Sequence, residues 1–521
     1  MSSQPEARNQ TEVLAVHGAD PEVMAYAMAK YSRSALSMRE ALAEISAQRA
    51  EQFLNTFYFQ YGHRSIADLA HIAFAVERLS MIAAIELVDE QRWDGQERST
   101  RYQNFLKSGW YLPAFGSDSA NEALYKDVIH SLFEGYEFTT SAVFESLKKR
   151  INRPADVDEG YYTRTLKARA FDVSRYLLPL ATNTSLGQIV NARTLETQVS
   201  RLLAHPTAEV RELGNKLRDA ATGPAWDANL KARAELIGKL PVELREEAAA
   251  LLTREVKAAP TLVKYAEANV YLGKARAELQ TAARELLATI PPANNKVVDL
   301  VERTESLEVE LAATLLYSAS HHGYRQVRDL VAALPEARVL EIIDLGLQHR
   351  GRHDEALRAF HAGAALRFDI LMDIGGFRDM HRHRRCTQVI QGITPLHGYE
   401  LPDAGDLGEG DILEIAGVKP HFVAALDSAF AASTKIAAGH SPEPRENARY
   451  VLPLATRIRS LFKMDFAEAQ YISELRSGPA GHFSYRRVAW LMYQEFARQH
   501  PTLAKHFRVT DFTQPIDLLK R

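Results

Sequence analysis

The sequence has little of several features that usually reveal a protein's class. A single cysteine, Cys386, among 521 residues excludes an intramolecular disulfide framework. No stretch approaches the roughly 18 consecutive apolar residues of a membrane-spanning helix. The formal net charge is only -3, so the composition gives no broad basic surface for nucleic acid or membranes. These absences predict a cytoplasmic globular protein without nucleic-acid or membrane partners.

Glycine-rich phosphate loops of the Walker and dinucleotide-fold types are also absent from the sequence, and metal-binding patterns are sparse. His349 and His353 stand four residues apart with Asp354 beside them, a spacing that permits two metal ligands. Neither an HExxH pattern nor cysteine ligands accompany them, so no metal site is predicted. Cys386 is a weak candidate for a nucleophile, because a lone cysteine is more often simply packed.

What is present is ordinary globular composition, 46% hydrophobic and 25% charged, in a chain long enough for several domains. The chain also repeats itself. SRYLLPLAT at 174–182 matches ARYVLPLAT at 448–456 in seven of nine positions. We therefore predict two homologous halves, residues 1–225 and 295–521, joined by a connector at 226–294 whose composition favours helix.

Helix is expected to dominate both halves. Apolar residues recur at spacings of three and four over 22–56, 65–92 and 366–391, which favours long helices. The prolines of the two LPLAT segments favour extended backbone before them. The predicted class is α+β, rich in helix.

Two polar clusters stand far apart in the chain. In QERSTRYQNF, at 96–105, the alternate residues Glu97, Ser99 and Arg101 would share one face of an extended segment. The hydroxyl and the forked guanidinium suit a phosphate, while Glu97 suits a base N–H or a ribose hydroxyl. The alternative is an exposed loop in which Glu97 and Arg101 pair with each other.

The second cluster, RDMHRHRRC at 378–386, crowds four arginines and two histidines together. On a helix, Arg378, Arg382 and Arg385 would share one face. Like charges so close repel one another unless an anion neutralises them, and a cofactor with a diphosphate would do so. The alternative is a basic face that is simply solvated.

The two clusters together resemble the signature of the flavin-dependent thymidylate synthases, which reads RHR, two residues, Ser, and then Glu-x-Ser-x-Arg-Tyr after a short spacer. In the first half, QERSTRY matches the second part, but Asp-Glu-Gln at 89–91 stands in place of RHR. In the second half, 382–384 matches RHR, but Gly-Ile-Thr-Pro at 392–395 replaces Ser-x-Arg-Tyr. Each half therefore keeps one part of the signature.

The resemblance implies roles for particular residues. A dUMP-like nucleotide would be bound by Glu97, Ser99, Arg101, Tyr102 and Arg193, the last within the Asn-Ala-Arg-x-Leu stretch downstream of LPLAT. Flavin would be bound by Arg378, Arg382, His383, Arg384 and Thr387, with Thr387 at the position of the family's serine. In the second copy, Asp465-Phe466-Ala467 stands at the Arg193 stretch, so the matching arginine is gone. No catalytic residue is assigned.

Members of that family are homotetramers in which RHR of one chain meets Ser-x-Arg-Tyr of another. A duplicated chain that keeps one part in each half would retain one complete split site and one defunct site. The resemblance thus implies a tandem duplication of the family's fold, with a small antiparallel sheet in each half. It also implies a homodimer that forms a pseudo-tetramer.

If the split site is active, the resemblance implies methylation of dUMP to dTMP with FAD, NADPH and methylenetetrahydrofolate, by chemistry that needs no cysteine nucleophile. Alternatives stay open at this point. One is a non-catalytic homologue that binds a nucleotide or flavin, or a related flavoenzyme that modifies another pyrimidine nucleotide. The other is a helical scaffold unrelated to the family.

Overall fold

The computed structural model of the chain describes residues 16, 18–30, 38, 40, 42, 64–264, 266–302, 305–351, 354, 356–402, 410–505 and 507–519. Two compact units are present. The smaller comprises Met1–Ala73, Ile189–Val199 and Asn215–Ala266, and the larger comprises Phe74–Gln188, Ser200–Gly214 and Glu267–Arg521. These units cut across the two halves predicted from sequence, whose limits at 225 and 295 stay a prediction.

Helices make up most of the described chain. In the first half and the connector they run over Pro21–Lys30, Met81–Val88, Ser119–Arg150, Glu159–Ser174, Ala192–Leu203, Ala208–Thr222, Leu230–Gly238, Val242–Leu252 and Val270–Leu286. In the second half they run over Leu307–Ser318, Tyr324–Ala332, Glu336–Leu347, Ile374–Met380, Ile412–Ile415, Lys419–Ala437, Pro444–Arg449, Phe466–Ser477, Phe483–Gln499 and Pro501–Ala504. Short 3-10 turns lie at Arg64–Leu69, Arg175–Leu177, Arg358–Phe360 and Pro395–His397. Across these residues no helix combines the length and hydrophobicity needed to cross a membrane.

Two small antiparallel sheets accompany the helices. One orders its strands as His71–Ser80, Asn183–Asn191 and Asp94–Glu97. The other orders its strands as Val298–Leu300, Leu366–Asp373, Arg457–Met464 and Thr387–Ile390. One sheet thus belongs to each half, and the predicted class, helix-rich α+β with a small sheet in each copy, is confirmed.

The predicted helices over 65–92 and 366–391 are wrong. Each segment instead contains a strand, then a short helix, Met81–Val88 or Ile374–Met380, and then a turn. All eight residues of Leu366–Asp373 are buried, because the strand lies in the middle of its sheet and is covered on both faces. A strand apolar on both faces and a buried helix give the same apolar run, so periodicity alone could not separate them. Most of 22–56 lies outside the described residues.

Both short helices begin in the same way. Ser80 caps the first, with its hydroxyl accepting from the backbone N–H of Ala83 at 3.0 Å. Asp373 caps the second, with its carboxylate accepting from the N–H of Gly376 at 2.7 Å. These side chains satisfy N–H groups that have no partner within the helix. Each strand ends where its capping residue begins the helix. In the second half this sets the position of Arg378 on the helix Ile374–Met380.

The two LPLAT segments pair with each other about a local twofold axis. Leu180 N–H donates to Leu452 O at 2.9 Å, and the symmetry-equivalent bond runs from Leu454 to Leu178 at 3.0 Å. A second equivalent pair joins Ala181 to Tyr450 and Ala455 to Tyr176. Pro179 and Pro453, which have no N–H to donate, face each other in an antiparallel bridge at the centre. The repeated sequence therefore forms repeated contacts.

Candidate functional site

The structure brings the two polar clusters together within one chain. Glu97 ends the strand Asp94–Glu97, and its carboxylate accepts a hydrogen bond from Arg378 Nη2 of the helix Ile374–Met380. Both side chains are only about a tenth exposed, at 11% and 10%. Arg378 Nη1 also lies 3.7 Å from Met81 Sδ of the first short helix. A buried ion pair thus joins the Ser-x-Arg-Tyr segment of one half to the arginine-rich segment of the other.

Arg101 is buried and its guanidinium is largely occupied by protein groups. Nε donates to Asp172 Oδ1 at 2.7 Å and Nη1 donates to the Tyr485 hydroxyl at 2.9 Å. Nη2 donates to the second Asp172 oxygen at 3.3 Å and to Ala480 O at 3.0 Å. Burial alone would lower the pKa of Arg101, but the facing Asp172 carboxylate outweighs it and raises that pKa. Arg101 is therefore a cation anchored to Asp172, and binding a phosphate would require it to exchange partners.

Ser99 and Tyr102 of the QERSTRY loop are more accessible than Arg101. The strand ends at Glu97, so the predicted extended face of alternate residues does not continue through Ser99 and Arg101. Ser99 Oγ accepts from the backbone N–H of Arg101 at 3.2 Å, which leaves the Ser99 O–H available as a donor. The Tyr102 ring is 58% exposed. The predicted alternative, a pair between Glu97 and Arg101, is replaced by two separate pairs, Glu97 with Arg378 and Arg101 with Asp172.

The helical face predicted for Arg378, Arg382 and Arg385 is also wrong, because the helix ends at Met380 and the following residues form a turn. The exposed Arg382 has its Nε 4.0 Å from the Asp379 carboxylate. Arg385 extends elsewhere and pairs with Asp465 at 3.0 Å. The crowded positive charges are thus relieved by local carboxylates and by the turn, rather than stacked along one helix.

Arg384 and His383 lie on that turn and contact different neighbours. The Arg384 guanidinium carbon lies 4.4 Å from the centre of the Trp93 ring, within cation–π range. Burial, with Arg382 nearby, lowers the pKa of Arg384. His383 Nε2 accepts from Arg476 Nε at 2.8 Å, which assigns its proton to Nδ1, 3.6 Å from Glu468. Burial lowers the pKa of His383 despite Glu468, so the imidazole is a neutral, oriented group.

Thr387 and Arg193 complete the predicted set. Thr387 begins the strand Thr387–Ile390, half-buried and in register with Lys463. Arg193 lies in the smaller unit, on the helix Ala192–Leu203, where it pairs with Asp68 at 3.1 Å. The roles assigned to these residues stay predictions.

Sequence reasoning missed several carboxylates and cations at the site. Asp379 carries a lowered pKa, because Arg175, Arg101 and Arg382 together outweigh the effect of its burial. Arg175 donates from Nη1 to Thr100 Oγ1 at 3.2 Å. A signal existed for Arg175, since it is one of the residues shared by the two LPLAT repeats. Asp172 and Asp379 gave no such signal, because nothing in the neighbouring sequence shows that an acid faces an arginine distant in the chain.

Two of the three residues that replace RHR in the first half, Asp89 and Glu90, are paired with cations. Asp89 accepts from Arg358 Nη1, and its carboxylate lies 3.6 Å from His381 Nε2. Glu90 pairs with Arg201 at 2.8 Å. Burial lowers the pKa of His381 to about 4 even though Asp89 opposes that shift. At the first position of the lost basic triad, a carboxylate therefore faces a cation and a histidine of the second half.

Two weaker sequence candidates are also located. Cys386 is buried, and its Sγ donates to His383 O at 3.0 Å. Burial raises its pKa to about 12, so it is a neutral thiol and a poor nucleophile. His349 Nε2 lies 2.7 Å from Glu278, and His353 lies outside the described residues. No group of three candidate metal ligands occurs within the described ranges.

These features define a class: a helix-rich, duplicated α+β protein whose halves contribute complementary arginine-bearing segments to one polar cluster. The family model described as thymidylate synthase complementing protein (Thy1) matches the chain twice, over residues 13–223 and 299–502. The chain belongs to this family. The resemblance stated from sequence is thereby confirmed, and the two matches agree with a duplication.

Two relatives match this chain over nearly its whole length, and a third matches little more than a third of it. A UPF0159 protein of Chlamydia muridarum is 28% identical over 95% of this chain and 91% of its own length. A UPF0159 protein of Thermoplasma acidophilum is 23% identical over 93% of this chain and 94% of its own length. A flavin-dependent thymidylate synthase of Clostridium tetani is 22% identical over 38% of this chain and 76% of its own length.

Solved structures align less extensively. The flavin-dependent thymidylate synthase of Helicobacter pylori, complexed with FAD and dUMP, aligns over 45% of this chain and 97% of its own, with 16% identity and a TM-score of 0.26. The UMP/dUMP methylase PolB of Streptomyces cacaoi, bound with 5-Br dUMP, aligns over 38% of this chain and 84% of its own, with 16% identity and a TM-score of 0.27.

Proposed function

We propose that this protein is a flavin-dependent enzyme that methylates a pyrimidine nucleotide, dUMP to dTMP, at a site shared by its two halves. The observation that carries the proposal is the buried ion pair between Glu97 and Arg378. It joins Glu97, in the part of the family signature that the first half keeps, to the helix that leads into the RHR of the second half. Family membership supports the class of reaction, and this contact supports a single composite site for it.

FAD fits the residues present, because buried guanidinium nitrogens at the site lack a hydrogen-bond acceptor. These atoms are Nε and Nη2 of Arg175, Nε of Arg378 and Nε of Arg384. Phosphate oxygens are strong acceptors for guanidinium groups. Arg378, Arg382 and Arg384 would hold the cofactor. When bound it would carry hydride from NADPH, with methylenetetrahydrofolate as the carbon donor.

The nucleotide would bind at the QERSTRY loop. Ser99 has an O–H that can donate to a phosphate oxygen, and the exposed Tyr102 ring offers a face for a base. Arg101 would contribute through its positive charge while Asp172 holds it in place. The neutral His383, fixed between Arg476 and Glu468, orients the turn that carries Arg382 and Arg384.

One observation favours a second candidate, a non-catalytic protein that binds a flavin or a nucleotide. The Arg101 guanidinium donates to Asp172, Tyr485 and Ala480, so its grip on a substrate phosphate would need rearrangement. A homologue that kept the fold and the flavin contacts, but used Arg101 only to hold the loop, would have this arrangement.

The test uses the purified full-length chain. We expect oxidised-flavin absorbance that bleaches on addition of NADPH, and tritium release from 5-tritiated dUMP when methylenetetrahydrofolate is present, because methylation at C5 displaces that hydrogen. Arg378→Gln should weaken FAD binding by at least about tenfold, since a charge-assisted contact is lost. The control Arg325→Gln breaks another ion pair, with Asp299 at 3.1 Å, and should leave FAD binding unchanged.

The outcomes separate the two candidates. Flavin binding without tritium release supports the non-catalytic homologue. A colourless protein that gains no flavin on titration and binds no dUMP overturns both. The expected homodimer, forming a pseudo-tetramer, stays a prediction that light scattering at micromolar concentration tests. The expected cytoplasmic location also stays a prediction.

A further inference from the structure

A row of alternating rings and guanidiniums joins the QERSTRY loop to the basic turn at residues 381–385. Its six members, in order, are Tyr102, Arg101, Tyr485, Arg476, His383 and Tyr471. The Arg101 guanidinium carbon lies 5.8 Å from the centre of the Tyr102 ring and 5.7 Å from that of Tyr485. The Arg476 guanidinium carbon lies 5.4 Å from the same Tyr485 ring. These distances are within cation–π range, so neighbouring members of the row hold one another in place.

The last two members of the row lie on the basic turn and on the helix Phe466–Ser477. His383 accepts from Arg476, and its ring lies edge-on to that of Tyr471, with 5.7 Å between the ring centres and 69° between the ring planes. The inner members of the row are buried or half-buried, whereas the end rings are open to solvent. Tyr102 is 58% exposed and Tyr471 is 54% exposed. The row therefore has an accessible aromatic ring at each end.

The surface around Tyr471 combines apolar and positive groups. Leu475, one helical turn further along, lies on the same face as Tyr471 and is half exposed. Arg382, the residue before His383, is exposed, and its Nε lies 4.0 Å from the Asp379 carboxylate. A flat ring joined to a phosphate suits this combination, because the ring can stack on the tyrosine while the phosphate accepts from the guanidinium.

The first half has no ring at the position of Tyr471. The helices Ala192–Leu203 and Phe466–Ser477 are each 12 residues long and correspond position by position at the offset of the two LPLAT segments. Thr197 therefore stands where the second half has Tyr471. The tyrosine thus belongs to the copy that keeps RHR, the part of the signature that the resemblance assigns to flavin.

We propose that Tyr471 is the stacking residue for the adenine ring of FAD, a role that rests on the proposed function. The Tyr102 end of the row lies on the nucleotide loop, and the Tyr471 end lies beyond the basic turn from it. The isoalloxazine has to lie beside the nucleotide in order to react with it, and Arg382 and Arg384 would hold the diphosphate. The adenine, at the opposite end of the cofactor, then reaches Tyr471. The site therefore selects FAD over FMN, which has no adenine.

The experiment is fluorescence titration of the full-length protein, freed of flavin, with FAD and separately with FMN. Tyr471→Ala should weaken FAD binding by at least about fivefold, the loss expected for one base stacked on an aromatic ring, and should leave FMN binding unchanged. Tyr471→Phe keeps the ring and should bind both flavins as the native protein does. Phe138→Ala, which removes a half-exposed ring from the helix Ser119–Arg150, is the matched control and should change neither affinity.

FMN is the internal control for the contact between Tyr471 and His383, because a disturbed basic turn would weaken the binding of both flavins. An equal loss of FAD and FMN affinity in Tyr471→Ala would mean that the ring holds the turn or contacts the isoalloxazine, and it would overturn the adenine assignment. Unchanged FAD affinity in Tyr471→Ala, or a native protein without preference for FAD, overturns this inference and leaves the proposed methylation to the tritium-release assay. A preference for FAD that Tyr471→Ala removes, in a protein that releases no tritium, upholds the inference while the proposed catalysis fails.

Discussion

The two copies of the signature loop have diverged in opposite directions. The first-half loop begins at Glu97, which pairs with Arg378, and continues to Arg101, which pairs with Asp172. In the second half, isoleucine stands at the position of Glu97 and threonine at that of Arg101, and the loop borders an open pocket. One copy therefore pairs its charged side chains with groups of the protein, whereas the other has uncharged residues at the same positions. Duplication permits this because each copy needs to keep only part of the original site.

The same contrast holds for the basic triad. The second half keeps Arg382, His383 and Arg384, while the first half has Asp89, Glu90 and Gln91 at the corresponding positions. Asp89 lies beside His381 and Arg358 of the second half. An acidic residue of one copy thus contacts the start of the turn that carries the basic residues of the other.

The largest expected effect comes from breaking the Glu97–Arg378 pair. Arg378→Gln should lower the free energy of unfolding by about 3 to 5 kcal/mol, because the buried Glu97 carboxylate loses its partner. The strands Asp94–Glu97 and Thr387–Ile390 correspond at an offset of 293 residues, so the counterparts of Glu97 and Arg378 are Ile390 and Ile85. The double variant Glu97→Ile with Arg378→Ile should therefore regain most of that stability while losing FAD binding.

Urea unfolding monitored by circular dichroism measures both variants. Arg338→Gln, which breaks an exposed ion pair with Glu341, sets the scale for a surface pair, about 0 to 1 kcal/mol. If Arg378→Gln costs no more than Arg338→Gln, the pair does not hold the two halves' segments together as described.

The next effect concerns nucleotide affinity at the first loop. Arg101→Ala should weaken dUMP binding roughly ten- to a hundredfold, the equivalent of about 1.5 to 3 kcal/mol. Asp172→Asn separates two explanations, because it weakens the hold on the Arg101 guanidinium without removing it. If Arg101 binds the phosphate, Asp172→Asn should retain or strengthen dUMP binding. An equal loss in both variants would mean that Arg101 only holds the loop.

The sequence predicted the duplication, the class and the pairing of the two clusters, but not the local structure that produces the pairing. The LPLAT segment survives in both copies, and each copy keeps one part of the signature. Both patterns could therefore be recognised in the sequence. The sequence of the strand Leu366–Asp373 predicts helix, because burial on both faces removes the alternation that identifies a strand. Asp172 was missed because its role depends on Arg101 and Tyr485 meeting around it. The row that ends at Tyr471 was missed because its residues come from separate segments.

A smaller effect is expected at the replaced triad. Asp89→Asn removes the charge that faces Arg358 and His381, and both partners of the Asp89–Arg358 pair are about a quarter exposed. Solvent screening limits the cost to about 1 kcal/mol of unfolding free energy. FAD affinity should fall less than in Arg378→Gln. A loss of FAD affinity as large as that of Arg378→Gln would show that Asp89 belongs to the flavin site itself.

The smallest effect is a pH dependence carried by His381. Burial holds its folded-state pKa at about 4, whereas the unfolded chain has a value near 6.5. Between these two values the unfolded state binds more protons than the folded state, so stability falls as the pH drops through that window. From pH 7.5 to 5.5 this one imidazole should cost about 1 kcal/mol. His381→Gln should remove that part of the slope in urea unfolding curves recorded at a series of pH values, whereas the exposed-site variant His421→Gln should keep it. Because the burial of His381 depends on Asp89, Arg358 and the basic turn packing together, an unchanged slope in His381→Gln would mean that this junction between the two copies is open to water.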